Sequence, residues 1–292
     1  MGDIDEYTPL VARQTHSLFV RGVEYCVYEW GDEDAPLFFY LHGWADTGST
    51  FQFVVDALAA DWRVIAPDWR GFGRTSHRGE AYWFPDYLAD LHALLEHYSP
   101  DEPARLVGHS MGANVCSLYA GVMPERVSAM VNIEGFGLAD SDPNDAPQRY
   151  RDWLEASQSG GTFSTYPDFE SLARRIRKRN TGLSEQQANF VAREWACTDD
   201  DGVRLRADPN HKLPNAVLYR RAEAEACWLQ ISAAVLLVCG ERSPFAGTSE
   251  SADLWPHPAN QSCTVPGVGH MIHFEAPQRL AKQIEQFFKK YL

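Results

Sequence analysis

The sequence predicts an α/β protein built on a mostly parallel β-sheet with helices on both faces. Over the first 135 residues, short apolar runs typical of buried strands alternate with segments of helical periodicity, and the strand pattern returns at residue 234. A serine between two glycines also stands directly between a predicted strand and a predicted helix. Parallel strands need long crossover connections, which helices usually supply. A chain of 292 residues can bury one large core, or a core and a smaller covering domain.

The elements before the serine alternate in the order expected for this class. Period and composition predict strands at 18–20, 23–28, 37–41 and 62–67, and a helix at 51–60. A second helix is predicted at 84–98, where apolar residues recur at 84, 87, 88, 91, 94, 95 and 98. The run 104–107 is the strand that leads into the serine.

The second half of the chain divides into an insertion and a return to the sheet. A strand at 127–133 is followed from 136 to 233 by short amphipathic helices among aspartate, glycine and proline clusters, which predicts a helical cap. Strands at 234–239 and 263–265 and a helix from Pro277 then resume the first pattern. We therefore predict a core domain formed by 1–135 and 234–292, with the cap at 136–233.

Ser110 is the predicted nucleophile. Gly108-His109-Ser110-Met111-Gly112 joins strand to helix without a spacer, so the hydroxyl stands above the sheet edge and small residues are needed on both flanks. The five-residue pattern alone occurs by chance about once in ten chains of this size, since glycine makes up about 7% of an average sequence. Its position at the strand end makes the prediction much stronger.

Acyl transfer by serine also needs a base, a group that orients the base, and donors for the oxyanion. The predicted base is His270, in the turn between the last strand and the last helix, with His273 as its nearest rival. The predicted oxyanion donors are the backbone amides of Trp44, after the third strand, and Met111, at the helix N-terminus. His42 is interpreted as a structural brace of the turn that carries Trp44.

The glycines of 68–75 do not indicate a phosphate loop. Gly71 and Gly73 lack a third glycine, and no lysine follows, so we interpret the segment as a turn that borders the site. With this turn, His42-Gly43-Trp44, 108–112 and 269–277 resemble the landmarks of the α/β-hydrolase superfamily across nearly the whole chain except the cap.

The resemblance implies an eight-stranded sheet, no cofactor or metal, and a triad in the order nucleophile, acid, histidine. A cap after the sixth strand is most similar to the branch that holds haloalkane dehalogenases, epoxide hydrolases and serine esterases. Dehalogenases and epoxide hydrolases use aspartate where this chain has Ser110. The expected chemistry is therefore esterase-type acyl transfer rather than formation of an alkyl-enzyme.

The acid of the triad departs from the usual family pattern. The family commonly places it after the seventh strand in a Gly-x-x-Asp turn, whereas this chain has Ser243 at that point, which cannot serve as the acid. Some members carry it at the end of the sixth strand, which corresponds to Glu134, the favoured residue. Glu241 is the alternative, and a weakened enzyme without an acid is a third possibility, since loss of the orienting carboxylate costs about 10⁴ in kcat in a known triad.

Charge and composition limit the partners. The formal net charge of −14 argues against nucleic acid or an anionic membrane and favours a monomer or small homo-oligomer. The charge says nothing about the substrate; the predicted serine chemistry indicates a small-molecule acyl compound. Residues 1–6 lack the pattern of a secretory signal, no run approaches membrane-spanning length, and the six cysteines have no paired spacing. We expect reduced thiols and a cytoplasmic location.

The predicted activity is cofactor-independent hydrolysis of a small to medium carboxylic ester or related acyl compound through an acyl-enzyme on Ser110. Two alternatives are a carbon–carbon bond hydrolase that uses the same serine and histidine, and a ligand-binding receptor on a hydrolase scaffold. The basic run 174–179 in the cap is interpreted as a solvated helix face, with a docking patch for an anionic substrate tail as the less favoured reading.

Overall fold

A computed structural model describes residues 7–77, 81–247 and 260–291. Residues 1–6, on which the expectation about a secretory signal depends, lie outside the described residues. The strands are β1 Gln14–Val20, β2 Val23–Trp30, β3 Leu37–Leu41, β4 Arg63–Pro67, β5 Ala104–His109, β6 Val127–Ile133, β7 Ala196–Asp199, β8 Gly202–Leu205, β9 Ala234–Gly240 and β10 Gln261–Val265. The α-helices are α1 Gln52–Val55, α2 Phe84–Tyr98, α3 Met111–Val122, α4 Ala146–Ser159, α5 Phe169–Arg179, α6 Glu185–Trp195, α7 Arg221–Trp228, α8 Ile272–Glu275 and α9 Pro277–Phe288.

Eight strands form one sheet in the order β1-β2-β4-β3-β5-β6-β9-β10. The pairs β1–β2 and β2–β4 are antiparallel, and the other five neighbouring pairs are parallel. Both the α/β class and the eight-stranded, mostly parallel sheet are thus confirmed. The carboxyl ends of β3, β5, β6 and β9 lie at the same edge, which is where open α/β sheets place their sites.

Each face of the sheet is covered by its own group of helices. Buried side chains of α2, α3 and α7 pack on one face, and those of α1 and α9 pack on the other. Because both faces are buried, the central strands carry continuous apolar runs, as in β9, where all seven residues are buried. The sheet edge beneath the site is therefore held rigidly from both sides.

One predicted helix is much shorter than its apolar pattern indicates. The segment 51–60 was expected to be helical throughout, but a 3₁₀ turn at Gly48–Phe51 is followed by a single α-helical turn, α1. Phe51 and Val54 are buried in the sheet packing, so their spacing reflects burial rather than a long helix. The helix 84–98 and the strand 127–133 match their predicted bounds.

The insertion between β6 and β9 contains α4 to α7 and a small hairpin of β7 and β8 that is separate from the main sheet. Helices α5 and α6 share an apolar cluster that also includes Phe53 of α1 and Phe274 of α8. In contrast, α7 packs on α3 through Ala224 and Trp228. The end of the insertion is therefore part of the layer on the sheet, and the cap boundary at 233 stays a prediction.

Two further observations concern the surroundings of the fold. Within the described ranges, the chain has no helix that is both long enough and apolar enough to cross a membrane. The six cysteines, all within the described residues, form no disulfide, and Cys26, Cys116 and Cys239 are buried.

Candidate active site

Ser110 stands at a strained turn between β5 and α3. Its backbone has φ 51° and ψ −112°, a left-handed conformation that is costly for a residue with a side chain. The Ser110 amide donates to Ile133 O at 2.7 Å, which ties the turn to the end of β6. A Cβ on Gly112 would lie 2.0 Å from Leu41 O, so only glycine permits α3 to approach β3 this closely. The sequence pattern thus has a steric cause.

The carboxylate of Glu134 contacts the imidazole of His270. His270 Nδ1 lies 2.8 Å from Glu134 Oε2, and the Glu134 side chain is fully buried while that of His270 is 33% exposed. Glu134 also has a left-handed backbone, with φ 61°. Since the carboxylate can only accept, the proton lies on Nδ1, which leaves the Nε2 lone pair free. Glu134 and His270 are therefore brought together, as the sequence predicts.

Two further donors hold the Glu134 carboxylate. The Gly240 amide donates to Oε1 at 2.6 Å, and the Ser243 hydroxyl donates to Oε2. Ser243, which occupies the usual position of the acid, thus supports Glu134, the predicted acid, from the neighbouring strand end. Glu241 does not contact His270; its carboxylate accepts from the Gly267 amide at 2.8 Å in an exposed position. The role of Ser243 was not foreseen, because it depends on the register of β9 against β6.

The turn after β3 lies against Ser110. A Cβ on Gly43 would lie 3.2 Å from Ser110 Cβ and 2.8 Å from His109 Nδ1, so the turn approaches the serine at van der Waals contact. Trp44 follows Gly43 directly, and Met111 is the first residue of α3, where backbone amides have no acceptor within the helix. Both predicted oxyanion donors therefore belong to segments that adjoin Ser110.

His42 braces this turn, in agreement with its interpretation from the sequence. Its Nε2 accepts from the Trp69 amide at 2.8 Å, and its Nδ1 lies 2.7 Å from Gly43 O. Burial lowers the pKa of His42 to about 4, so the ring is neutral, with its proton on Nδ1. The imidazole links the ends of β3 and β4 and has no direct contact with the serine among its hydrogen bonds.

His273, the rival base, belongs to a different group. It is fully buried, and its Nε2 lies 3.0 Å from Asp46 Oδ2. One ligand-type atom from each of Asp46, His109 and His273 lies within 4.8 Å of the others, a donor set that suits zinc. The Asp46 carboxylate, however, also accepts from Trp195 Nε1 and Thr50 Oγ1, at 2.7 and 2.8 Å. Protein donors thus satisfy it without a metal ion.

The basic run of the cap lies on the exposed face of α5. Arg174 pairs with Glu170 at 2.5 Å and Arg177 with Glu185 at 3.5 Å, and all four side chains are about half exposed or more. Local ion pairs therefore neutralise part of this charge, in agreement with a solvated helix face.

An eight-stranded α/β sheet with a strained serine elbow and a buried carboxylate–histidine pair at one edge defines the class of α/β-hydrolases. Residues 36–277 match the family model described as alpha/beta hydrolase fold. The chain belongs to this family, and it is a hydrolase.

Relatives agree with this assignment. The chain is 26% identical over 277 residues to the serine hydrolase-like protein of Danio rerio, covering 89% of this chain and 83% of that protein. It is 27% identical to the 3-hydroxybutyrate-oligomer hydrolase of Cupriavidus necator, over 87% and 89% of the two chains. Among solved structures, the thioesterase domain from the curacin biosynthetic pathway superposes with a TM-score of 0.85, at 26% identity, over 94% of this chain and 99% of that one.

Proposed function

We propose that this protein hydrolyses a small to medium carboxylic ester or related acyl compound through an acyl-enzyme on Ser110, with a Ser110–His270–Glu134 triad. The observation that carries the proposal is the 2.8 Å contact between His270 Nδ1 and buried Glu134, beside a serine in a strained elbow. Strained residues cluster at functional sites: of the four non-glycine residues with positive φ in the described ranges, Ala45, Ser110 and Glu134 border this edge.

The acylation step follows from the tautomer that Glu134 imposes. With its proton on Nδ1, His270 offers Nε2 to accept the Ser110 proton as Oγ attacks the acyl carbon. The imidazolium that results lies against an anionic carboxylate, which stabilises it. His270 then gives the proton to the leaving alcohol or thiol, and the acyl group stays on Ser110.

The oxyanion of each tetrahedral intermediate is stabilised by backbone donors. The amides of Trp44 and Met111 supply two hydrogen bonds from opposite sides, and the N-terminus of α3 adds a favourable dipole. In the second half-reaction, His270 takes a proton from water, which attacks the acyl-enzyme, and returns that proton to Ser110 Oγ as the acid is released. Proton transfers balance over the cycle, and no cofactor takes part.

Aromatic side chains next to the oxyanion turn favour an apolar acyl or alcohol group. The Trp44 side chain is 47% exposed, and its ring lies 6.4 Å from that of Phe72 and 6.1 Å from that of Phe163 in the insertion. An exposed tryptophan between two other rings is typical of a ligand-binding surface. The names of two similar proteins, a 3-hydroxybutyrate-oligomer hydrolase and a thioesterase domain, support an acyl compound as the substrate.

The direct test is covalent labelling by a fluorophosphonate probe, read by intact mass and peptide mapping. We expect one adduct, on Ser110, in the wild type and none in Ser110→Ala. A panel of p-nitrophenyl esters and acyl thioesters should then give multiple turnovers. An unlabelled wild type, or labelling that survives in Ser110→Ala, contradicts the proposal. Labelling without turnover favours a receptor on this scaffold.

A further inference from the structure

A column of buried and half-buried polar side chains connects the insertion with the predicted base. It consists of Trp195, Asp46, His273 and His109, and we call it the histidine column. Trp195 is the last residue of α6, Asp46 follows the oxyanion turn, and His109 directly precedes Ser110. Asp46, His109 and His273 are all at most 2% exposed. The mechanism above uses none of these side chains, and buried polar groups are expensive to keep.

At the Asp46 end of the histidine column, the carboxylate is charged and held by several hydrogen bonds. Trp195 Nε1 and Thr50 Oγ1 donate to Asp46 Oδ1, and His273 Nε2 donates to Oδ2. Burial alone would raise the pKa of Asp46, but the hydrogen bond and electrostatic interaction with His273, with other donors, lower it below its usual value. Asp46 is therefore an ionised anchor that joins α6 of the insertion to the core.

At the His109 end, the histidine column reaches the backbone of His270. The His109 ring lies 4.6 Å from that of His273 and 4.7 Å from that of His270, between centroids. His109 Nε2 lies 3.0 Å from His270 O, and since a carbonyl only accepts, the proton is on Nε2. Burial lowers the pKa of His109 well below its usual value, so the ring is neutral.

We propose that His109 is a positioning residue that fixes the His270 loop through the His270 carbonyl, and that the contact of Trp195 with Asp46 couples this to the seating of the insertion on the core. The inference rests on the proposed function, since it assigns a partner to the base of that reaction.

The loop geometry explains why a backbone contact would matter. The amide of Gly269 donates to Glu275 Oε1 at 3.1 Å, and His109 holds the carbonyl of the next residue, so the peptide before Gly269 and the peptide after His270 are both fixed. Glu134 orients the imidazole from its Nδ1 side. If the carbonyl is released, the ring can still meet Glu134 but no longer keeps one distance to Ser110. Misplacement by about 1 Å can cost roughly 100-fold in rate.

The test compares three substitutions at one position. His109→Gln retains an N–H donor at nearly the reach of Nε2, His109→Asn has a shorter side chain that ends too early, and His109→Leu has no donor. The phosphonate probe gives the concentration of reactive active sites. The value of kcat with p-nitrophenyl butyrate is then calculated per reactive site. We expect kcat to fall roughly 10- to 100-fold in Leu and Asn, with KM changed far less, and to recover largely in Gln.

The coupling is tested by a double-mutant cycle with Trp195→Phe, which removes the indole donor to Asp46 and keeps a smaller aromatic ring against Phe274. If the histidine column acts as one unit, Trp195→Phe lowers kcat in the wild type but has little further effect in His109→Leu. Trp83→Phe, at a tryptophan that is 57% exposed before α2, is the matched control.

The outcomes separate this inference from the proposed function. A wild type that is not labelled at Ser110 overturns the proposed function itself. If the wild type is labelled and active, and His109→Leu and His109→Gln have equal kcat per titrated site, the role of His109 alone is overturned. The same holds if the two variants differ only in melting temperature. Additive effects in the cycle overturn the coupling to the insertion.

Discussion

At the scale of single residues, the site depends on backbone conformations that side chains disfavour. Ser110 and Glu134, with φ of 51° and 61°, end adjacent parallel strands, and each costs about 1–3 kcal/mol relative to relaxed backbone. The hydrogen bonds from the Ser110 amide to Ile133 O and from the Glu134 amide to Val238 O hold both turns in place. These two turns thus place Ser110 and Glu134 at neighbouring strand ends on one edge of the sheet.

The carboxylate partner of His270 can be identified by a matched pair of substitutions. We expect Glu134→Gln to lower kcat about 10³- to 10⁴-fold, because an amide can favour the wrong tautomer of His270 and does not stabilise its cation. Glu241→Gln, at an exposed carboxylate one strand away, should stay within twofold of the wild type, as expected for a surface position. Steady-state kinetics on one p-nitrophenyl ester checks both; equal losses would contradict the assignment.

Gly43 offers a steric test of the oxyanion turn. A methyl group there would meet Ser110 Cβ at 3.2 Å and His109 Nδ1 at 2.8 Å, so Gly43→Ala must shift the turn away from the serine. We expect kcat to fall by about 10²-fold, since the Trp44 amide moves with the turn. Ester hydrolysis and thermal unfolding, measured together, distinguish this from loss of fold. Full activity in a well-folded variant would place the donor elsewhere.

Most residues of the candidate site could be predicted because each has a local signal. Ser110 is marked by its glycines, and His270 and Glu134 by their positions at strand ends. Ser243 and His109 carry no such signal, since their partners lie 109 and 161 residues away in the chain. Only the register of β9 on β6 and the contacts among the histidine rings give them a role, and a single sequence does not encode these in any readable pattern.

At the scale of elements, helix α6 is held on the core by charge as well as by apolar packing. The Glu194 side chain is mostly buried, with 8% of the residue exposed. Its carboxylate forms ion pairs with the guanidinium groups of Arg13 at 2.7 Å and Arg74 at 3.1 Å, which come from two separate parts of the core. Burial alone would raise the pKa of Glu194, but the hydrogen bond and charge of Arg13, with the charge of Arg74, lower it below its usual value. The next residue, Trp195, supplies the indole contact to Asp46.

We expect Glu194→Gln to lower the free energy of unfolding at pH 7 by about 1–3 kcal/mol, because two partly buried guanidinium groups lose their counter-charge. The native pKa of Glu194 lies below its unfolded value, so its contribution is complete above the unfolded pKa, near 4.5, and disappears as the pH falls through the native one. Urea unfolding at pH 7 and at lower pH should show the two proteins converging. A difference that grows on acidification would contradict this.

Element prediction succeeded where one periodicity dominates. The helix α2 follows its apolar period over 15 residues, whereas the run 51–60 combines a turn and a short helix whose apolar residues face two different packing clusters, Val54 with the sheet and Phe53 with the insertion. The eight-stranded sheet could be anticipated from the resemblance. The docking of α7 on α3 could not, because amphipathic helices of the insertion and of the core look alike in sequence.

At the scale of the whole molecule, one histidine joins the insertion to the core. His211 is stacked between Phe72 and Tyr82, at centroid distances of 3.8 and 3.6 Å, and its Nε2 donates to Arg70 O at 3.2 Å. Burial lowers the pKa of His211 to about 4, although the hydrogen bond to the carbonyl opposes the shift.

This arrangement predicts a loss of stability in mild acid. Between the unfolded pKa near 6.5 and the native pKa of about 4, the unfolded chain binds a proton at His211 that the native protein does not. The wild type should therefore lose stability relative to His211→Phe as the pH falls from 7 to 4.5. Urea unfolding across this range tests the trend, with the exposed His97→Phe as control. A constant difference would show that His211 titrates normally.

The packing of the insertion has a consequence for how a substrate could arrive. Helices α5 and α6 pack against Phe53 and Phe274 of the core, each at most 2% exposed. A rigid movement of these two helices away from the core would therefore expose two buried aromatic rings to solvent. Helix α4 buries none of its residues. We expect the substrate to enter on the side of α4. Entry there requires the displacement of only this one helix, while α5 and α6 stay packed on the core.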